Sequence, residues 1–296
     1  MSPICPAELS ALHELIVACG DYASQQSPQT FQVFEKGVDD YVTTVDQVLD
    51  QKLLAAMQRL FPEDGIITEE NRATAQQFCQ DRGDGVPPSP QRTLWFVDPI
   101  DGTDDFIQGG DYYSVMVGRL VNGRPQAGWI YAPVAKQLVW GGPGWGQFEQ
   151  TNGGQIAPLL PKEPVFDLTQ RWAMVIGDKD ERRFGAAIAH RFPSVQFLCL
   201  GSFGLKVLAV ITGQAGLYIY LNGRVKLWDT TGPLALARAA GLVCCDLAGQ
   251  PIQFTEPAVA PGTLIHRQPI IVGWPSYVEK LRSPLNDIAH AVGLPR

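Results

Sequence analysis

The stretch Val97-Asp98-Pro99-Ile100-Asp101-Gly102-Thr103 sets two carboxylates three residues apart, around a proline, where an apolar run gives way to a turn. Upstream, Thr93-Leu94-Trp95-Phe96-Val97 is short, continuous and rich in β-forming residues, which predicts a buried strand ending at Asp98. Pro99 removes a backbone donor and biases Asp98 towards an extended conformation. Gly102 tolerates positive φ and close approach to the main chain, and Thr103 can cap a helix beginning nearby, leaving N–H groups to face an anion. The turn thus offers oxygens to a hard cation such as Mg²⁺ beside donors for a phosphate, a pairing that suits phosphoryl transfer to water. A bare Asp-x-x-Asp-Gly string also fits an ordinary acidic turn, so more distant segments must decide.

Two such segments bear on the choice. Ile66-Ile67-Thr68-Glu69-Glu70 follows Asp64-Gly65 and predicts a second short strand ending in paired acids. Trp228-Asp229-Thr230-Thr231-Gly232-Pro233 opens a helical pattern through Ala240, closed by Gly241; taken alone, Asp229 reads as an N-cap. Together they make three acidic element ends in order along the chain.

That order resembles the Mg²⁺-dependent, lithium-sensitive phosphatases that include inositol monophosphatase and 3'(2'),5'-bisphosphate nucleotidase. The resemblance runs from about Lys36 to the region of Gly241. It is carried by Val42-Thr43-Thr44-Val45-Asp46, by Glu69-Glu70, by Trp95 to Thr103 as W-x-V/I-D-P-I/L-D-G-T, and by Trp228-Asp229. It implies a layered αβαβα sandwich with two or three Mg²⁺ ions at the junction of two lobes. Asp98 would bridge two cations, with Glu69 and the Ile100 carbonyl completing the first site and Asp101 and Asp229 the second. The catalytic set would be Thr103, Asp46 and Glu69, with Thr103 hydrogen-bonded to Asp46 and orienting the attacking water, while the Gly102 and Thr103 amides take phosphate oxygens. Glu70 either tunes this shell or is a solvated partner of Glu69.

The ester is read from the residues beyond the turn. The segment from Asp104 to Val115 resembles the bisphosphate nucleotidases, and Gly201-Ser202-Phe203-Gly204-Leu205-Lys206 is similar to their serine-leucine-lysine helix start, where Ser202 and Lys206 could hold a second phosphate. Asp104 stands where those enzymes usually carry lysine and disfavours an anion near Thr103. Arg224 and Lys226 could bind such a group, or be solvated beside the Asn222-Gly223 turn. The resemblance therefore implies hydrolysis of adenosine 3',5'-bisphosphate to AMP first, inositol 1-phosphate second and a sugar bisphosphate third. A metal-responsive binding protein that kept the fold and lost turnover is the reading from another class; Thr103 beside Glu69, Asp98, Asp101 and Asp229 disfavours it.

Composition agrees with a globular enzyme: 296 residues, 45% hydrophobic and 18% charged, can bury one large core or two fused lobes. A net charge of −7 argues against a nucleic-acid polymer as partner, yet leaves room for a small phosphorylated metabolite, because a bound cation reverses the local field. The absence of a long apolar run or a signal-like start predicts a cytoplasmic protein without a membrane partner. The six cysteines lack metal or framework spacing and read as reduced thiols, and the four histidines are scattered. Monomer and homodimer both remain open.

Helical spacing predicts helices over 7–24 and 44–60, the second turning Val48, Leu49, Leu53, Leu54 and Met57 to the core. Residues 71–92 read as a polar excursion, either a cover over the site or a solvated loop. Asn122-Gly123 marks a hairpin, and Gln137 to Trp140 adds a strand. Glycine and proline accumulate after Gly141, which places the boundary between an α+β lobe (1–150) and an α/β lobe (151–296). In the second lobe, strands at 172–176, 195–200, 217–220, 242–246 and 270–273 alternate with helices at 181–191, 202–212, 230–240 and 277–292. Tyr218 and Tyr220 share a strand face, so both or neither line the pocket.

Overall fold

The computed structural model describes residues 4–37, 40–79 and 93–294. Helix α1 (Pro6–Ser24) starts with Pro6 in its first turn and a reciprocal cap in which Glu8 accepts from the Cys5 amide at 2.7 Å. A two-stranded ribbon, β1 (Val33–Gly37) and β2 (Asp40–Thr43), leads into α2 (Thr44–Leu60). Leu49, Leu53 and Met57 of α2 are buried as their spacing requires, and Leu54 is half-buried. Val48 is 47% exposed and belongs to the outer face, contrary to expectation, because it falls off the stripe those residues define.

Strand β3 (Gly65–Thr68) is followed by α3 (Arg72–Cys79), so the expected polar excursion begins as a helix; its remainder, 80–92, lies outside the described residues. Strand β4 (Thr93–Asp101), α4 (Thr103–Ile107), β5 (Ser114–Val121), β6 (Arg124–Ala132), β7 (Gln137–Gly142), β8 (Gly146–Thr151) and β9 (Ala157–Pro158) complete a seven-stranded sheet in sequence order β3 to β9, parallel only between β3 and β4. At the β5–β6 turn Asn122 and Gly123 both take positive φ (51° and 70°), the geometry that Asn-Gly favours. Strand β8 crosses the expected boundary at 150/151 and β9 extends the sheet to Pro158; the glycines around Gly144 form a hairpin turn inside the sheet.

The second sheet has five strands in the order β11-β10-β12-β14-β13, built from β10 (Trp172–Ile176), β11 (Val195–Leu198), β12 (Leu217–Tyr220), β13 (Val243–Cys245) and β14 (Ile270–Gly273). Between them run α5 (Asp178–Arg191), α6 (Phe203–Ile211), α7 (Leu227–Ala239) and α8 (Pro275–Val292). Period-two alternation sorts the first sheet's side chains: Trp95, Val97, Val115 and Val117 face α1 and α2, while Phe96, Met116 and Ile130 face α6 and α7. Helices α6 and α7 also pack on the second sheet, whose other face carries α5 and α8. The layers are therefore α1α2, sheet, α6α7, sheet, α5α8, the expected αβαβα sandwich.

Helix α7 lies unusually close to the first sheet. A Cβ at Gly118 would stand 2.4 Å from the Gly232 amide nitrogen, and one at Gly128 would stand 2.1 Å from the Gly232 carbonyl oxygen. The helix backbone thus rests directly on β5 and β6, which fixes its height over the sheet. Replacing Gly128 with alanine must push α7 outward, since the clash is with backbone. Gly128→Ala should destabilise the chain by about 3 kcal/mol in urea or guanidinium titration; a midpoint equal to that of the wild type would contradict this packing.

Candidate active site

In β4, Asp98 pairs with Met116 of β5 and Asp101 with Ser114, so three steps along β4 oppose two along β5. This bulge at Pro99-Ile100 overturns the usual alternation. In an even strand, residues three apart point to opposite faces; the extra residue returns Asp101 to the side of Asp98. Pro99 suits the bulge because it has no N–H to leave unpaired, and the Ile100 amide donates to Asp98 Oδ1 at 3.0 Å. The strand therefore runs on to Asp101 instead of ending at Asp98.

Gly102 follows with φ at 91°, and a Cβ there would meet the Tyr112 carbonyl at 2.9 Å and the Ser202 amide nitrogen at 3.0 Å. Only glycine lets the turn dock this tightly against the start of α6. Gly102, not Thr103, is the N-cap of α4. Thr103 is the first helical residue, and its Oγ donates to the Ile100 carbonyl at 2.9 Å. Asp46 is instead engaged by the amide and hydroxyl of Thr43, closing the cap of α2. The implied Thr103–Asp46 hydrogen bond is thus replaced by two local ones.

Asp229 comes from the first turn of α7, which begins at Leu227, earlier than its apolar pattern indicated; its Oδ2 accepts from the Lys226 amide at 2.6 Å. Ligand oxygens of Asp98, Asp101 and Asp229 lie within 4.8 Å of one another. Burial is the first cause that raises all three carboxyls: Asp98 stands well above the ordinary range, with Glu69, Asp101 and Asp229 adding repulsion. Asp229 is pushed up to about 8 by burial, then by Glu69 and Asp101. For Asp101 the rise is opposed by hydrogen bonds from Ser202 Oγ and the Gly204 amide. Three converging carboxylates, Asp98 and Asp101 buried and Asp229 half-buried, with no ammonium at ion-pair distance among the described residues, form a donor set of hard oxygens that fits Mg²⁺.

Glu69 follows β3 and is held differently. Lys36 Nζ of β1 lies 3.0 Å from Glu69 and 2.8 Å from Glu70, and Lys226 Nζ lies 3.8 Å from Glu69. The Glu70 carboxyl is raised to about 7 by burial and by Glu69, against the pull of Lys36. Sequence reasoning missed Lys36, a single cation in a short ribbon strand that no spacing marks. Glu70 is an ion-paired member of the site, not a solvated one.

Two adjoining cavities open here, of about 440 and 460 Å³. Gly102, Thr103, Asp104 and Asp105 line the first; Asp101, Asp229, Arg224 and Lys226 line the second; Glu69 and Lys206 line both. Ser202 is fully buried, with its Oγ bonded to Asp101, Ser114 and the Leu205 amide, so it braces a carboxylate and is not placed to hold substrate. Lys206 Nζ donates to the Gly201 carbonyl at 2.9 Å, and burial lowers its ammonium. Tyr218 and Tyr220 both line the second cavity, because β12 ends at the site, and both also pack in the core between the sheets, Tyr218 fully buried and Tyr220 half-buried. Lys179 and Arg182 of α5 line the first cavity and were not foreseen, since only the fold brings that helix to the turn. Nearby, Cys199 Sγ donates to Glu181 at 2.9 Å, and burial followed by Glu181 pushes the thiol up to about 12.

A family model described as the inositol monophosphatase family matches residues 7–287. Inositol monophosphatase 3 of Solanum lycopersicum is 27% identical over 78% of this chain and 83% of its own length. The Nus factor SuhB of Xylella fastidiosa is 24% identical over 75% of this chain and 74% of its own. The solved IMPase of Thermotoga maritima superposes with a TM-score of 0.71 at 19% identity, covering 97% of this chain and 99% of that one.

The buried acids make stability depend on pH when no cation is supplied. A carboxyl raised from 3.8 to about 8, as at Asp229, favours the fold while protonated; that contribution is full below about 4 and lost as pH rises through about 8. In chelator, the melting temperature should therefore fall across this window, and Mg²⁺ should flatten the fall. A metal-free melting temperature that rises towards pH 8 would be inconsistent with the cluster.

Proposed function

The chain belongs to the inositol monophosphatase family and is a metal-dependent phosphoric monoester hydrolase, and from that premise we propose that its Mg²⁺ is held by Asp98, Asp101, Asp229, Glu69 and the Ile100 carbonyl, with adenosine 3',5'-bisphosphate as the preferred substrate. The observation that carries the site is the convergence of three carboxylates, two buried and one half-buried, within 4.8 Å beside the Gly102-Thr103 turn. Bound there, Mg²⁺ supplies Lewis-acid activation of water and neutralises charge on the phosphate and the departing oxygen.

The chain's own groups do the rest. The Gly102 and Thr103 amides stand at the start of α4 on the cavity wall and receive phosphate oxygens. Thr103 Oγ commits its proton to the Ile100 carbonyl, so its remaining lone pairs accept from the attacking water and orient it. Glu69 lines both cavities, fixed by Lys36 and Lys226, and is placed to take the proton that water releases. Asp46 acts at one remove, by capping α2 beneath the ribbon that carries Lys36.

The nucleotide reading is supported by Lys179, Arg182 and Lys206 on the wall of the first cavity, cations additional to the metal cluster that suit a second anionic group. Inositol 1-phosphate is the second reading. Asp104 and Asp105 on the same wall favour it, because they repel further negative charge and can accept from sugar hydroxyls.

Phosphate release with Mg²⁺ from the two esters, measured side by side, separates these readings. The bisphosphate should be cleaved faster, and Lys206→Met should lower its kcat/KM about tenfold more than that of inositol 1-phosphate; preference for the inositol ester would reverse the substrate assignment. Asp98→Asn should lower kcat on either ester on the order of a thousandfold, and turnover close to wild type would overturn the metal site itself.

A further inference from the structure

Glu69 lies beside the carboxylate cluster but is paired with two lysines. Asp98, Asp101 and Asp229 converge within 4.8 Å, but Glu69 is drawn to Lys36 at 3.0 Å and to Lys226 at 3.8 Å. Lys226 also reaches Asp40 at 3.7 Å, and its ammonium lies 5.1 Å from the centre of the Trp228 ring. It occupies the residue just before α7, whose Asp229 is one of the cluster acids, and Asp229 accepts from its backbone amide. One residue therefore fixes Asp229 through its main chain and holds Glu69 through its side chain.

We propose that Lys226 is a positioning residue that competes with the first cation for Glu69 and so sets the Mg²⁺ concentration at which the site fills. The inference rests on the reading above, in which the cluster and Glu69 hold Mg²⁺. A dication arriving at Asp98 must share Glu69 with an ammonium already beside it, and it also meets the repulsion of that ammonium. Both effects have the same sign, so removing the charge at 226 strengthens cation binding. Lys36 does not play the same part alone, because it is shared with Glu70 at 2.8 Å and remains anchored when Glu69 moves. Asp40, at the start of β2, ties the ribbon to the same ammonium, so filling of the site frees Lys226 to pair with Asp40 alone.

The test is direct calorimetric titration of the metal-free full chain with Mg²⁺, without substrate, for the wild type, Lys226→Met and Lys226→Arg. Methionine keeps an unbranched apolar stem of similar reach and removes the charge; it should lower the Mg²⁺ dissociation constant about three- to fivefold, the size expected for one partly screened ion pair. Arginine keeps the charge and should return the constant to near the wild-type value. An unchanged or higher constant in Lys226→Met overturns the proposal, and so does an unchanged constant accompanied by a raised KM for the phosphate ester, which would make Lys226 a substrate contact. If Lys226→Met fails to fold, as circular dichroism would reveal, Lys226→Gln is read by the same criteria. A wild-type chain that binds no Mg²⁺ removes the metal reading and this inference together, whereas wild-type binding with no change in the variant removes only the inference.

Discussion

The mutual repulsion of Asp98, Asp101 and Asp229 is the constraint around which this molecule is arranged. With ligand atoms within 4.8 Å, each fully ionised pair would repel by about 3 to 4 kcal/mol at an effective dielectric near 20. Three such pairs approach the whole net stability of an ordinary domain, roughly 5 to 15 kcal/mol. The fold cannot keep all three bare and charged, so it must hold protons or a cation there. Every neighbouring device serves that enforced proximity: the bulge that turns Asp101 to the side of Asp98, the Ser202 and Gly204 donors that grip Asp101, and the Lys226 amide that grips Asp229.

Holding the acids together requires a rigid platform. Asp98 and Asp101 ride on β4, a strand paired on both sides, whereas Asp229 rides on a helix from the far part of the chain. The backbone contact of Gly232 with Gly118 and Gly128 sets the distance between these supports, because no side chain intervenes that could repack. Large side chains at those three positions would lift α7, and the third carboxylate would leave the cluster. Packing and chemistry are here the same restraint seen at two ends of one helix.

The parts of this arrangement legible in the sequence were those with a local signature. The apolar run before Asp98, the Asn122-Gly123 turn and the alternation of the second lobe place β4, the β5–β6 hairpin, β10, β12 and β14 where they stand. Of the three acidic element ends, the Asp98–Asp101 turn and Asp229 converge, whereas Glu69 and Glu70 are paired with lysines beside them. What escaped depended on long-range geometry. Lys36 carries no spacing signal, α5 reaches the turn only through the second sheet's order, and β8 hides among glycines that in isolation read as the boundary between two lobes. Ser202 resembled a ligand-binding group because a buried serine bracing a carboxylate and one facing a phosphate look the same as letters. The helix cap moved by one residue, from Thr103 to Gly102, because positive φ at the glycine satisfies the turn before threonine is reached.

The acids of the site fall into two electrostatic halves, and their difference explains how a chain of net charge −7 can attract an anion. On one side Asp40, Glu69 and Glu70 face Lys36 and Lys226; Glu69 and Glu70 raise the Lys36 ammonium, and Glu69, Asp229 and Asp40 raise that of Lys226, against the opposing effect of burial. On the other side Asp98 and Asp229 have no ammonium within ion-pair distance among the described residues, although Glu69 repels both and Lys226 acts on Asp229 at longer range, and Asp101 feels Lys206 only as a weaker influence behind its hydrogen bonds. A dication would therefore invert the field most strongly on the second side, next to the Gly102-Thr103 amides, where a phosphate would sit. The lysine-balanced side remains close to neutral and does not add a competing anion trap. Where a phosphate would land thus depends on which carboxylates stand without a lysine partner, with Glu69 shared between the chain's lysines and the cation it would help to hold.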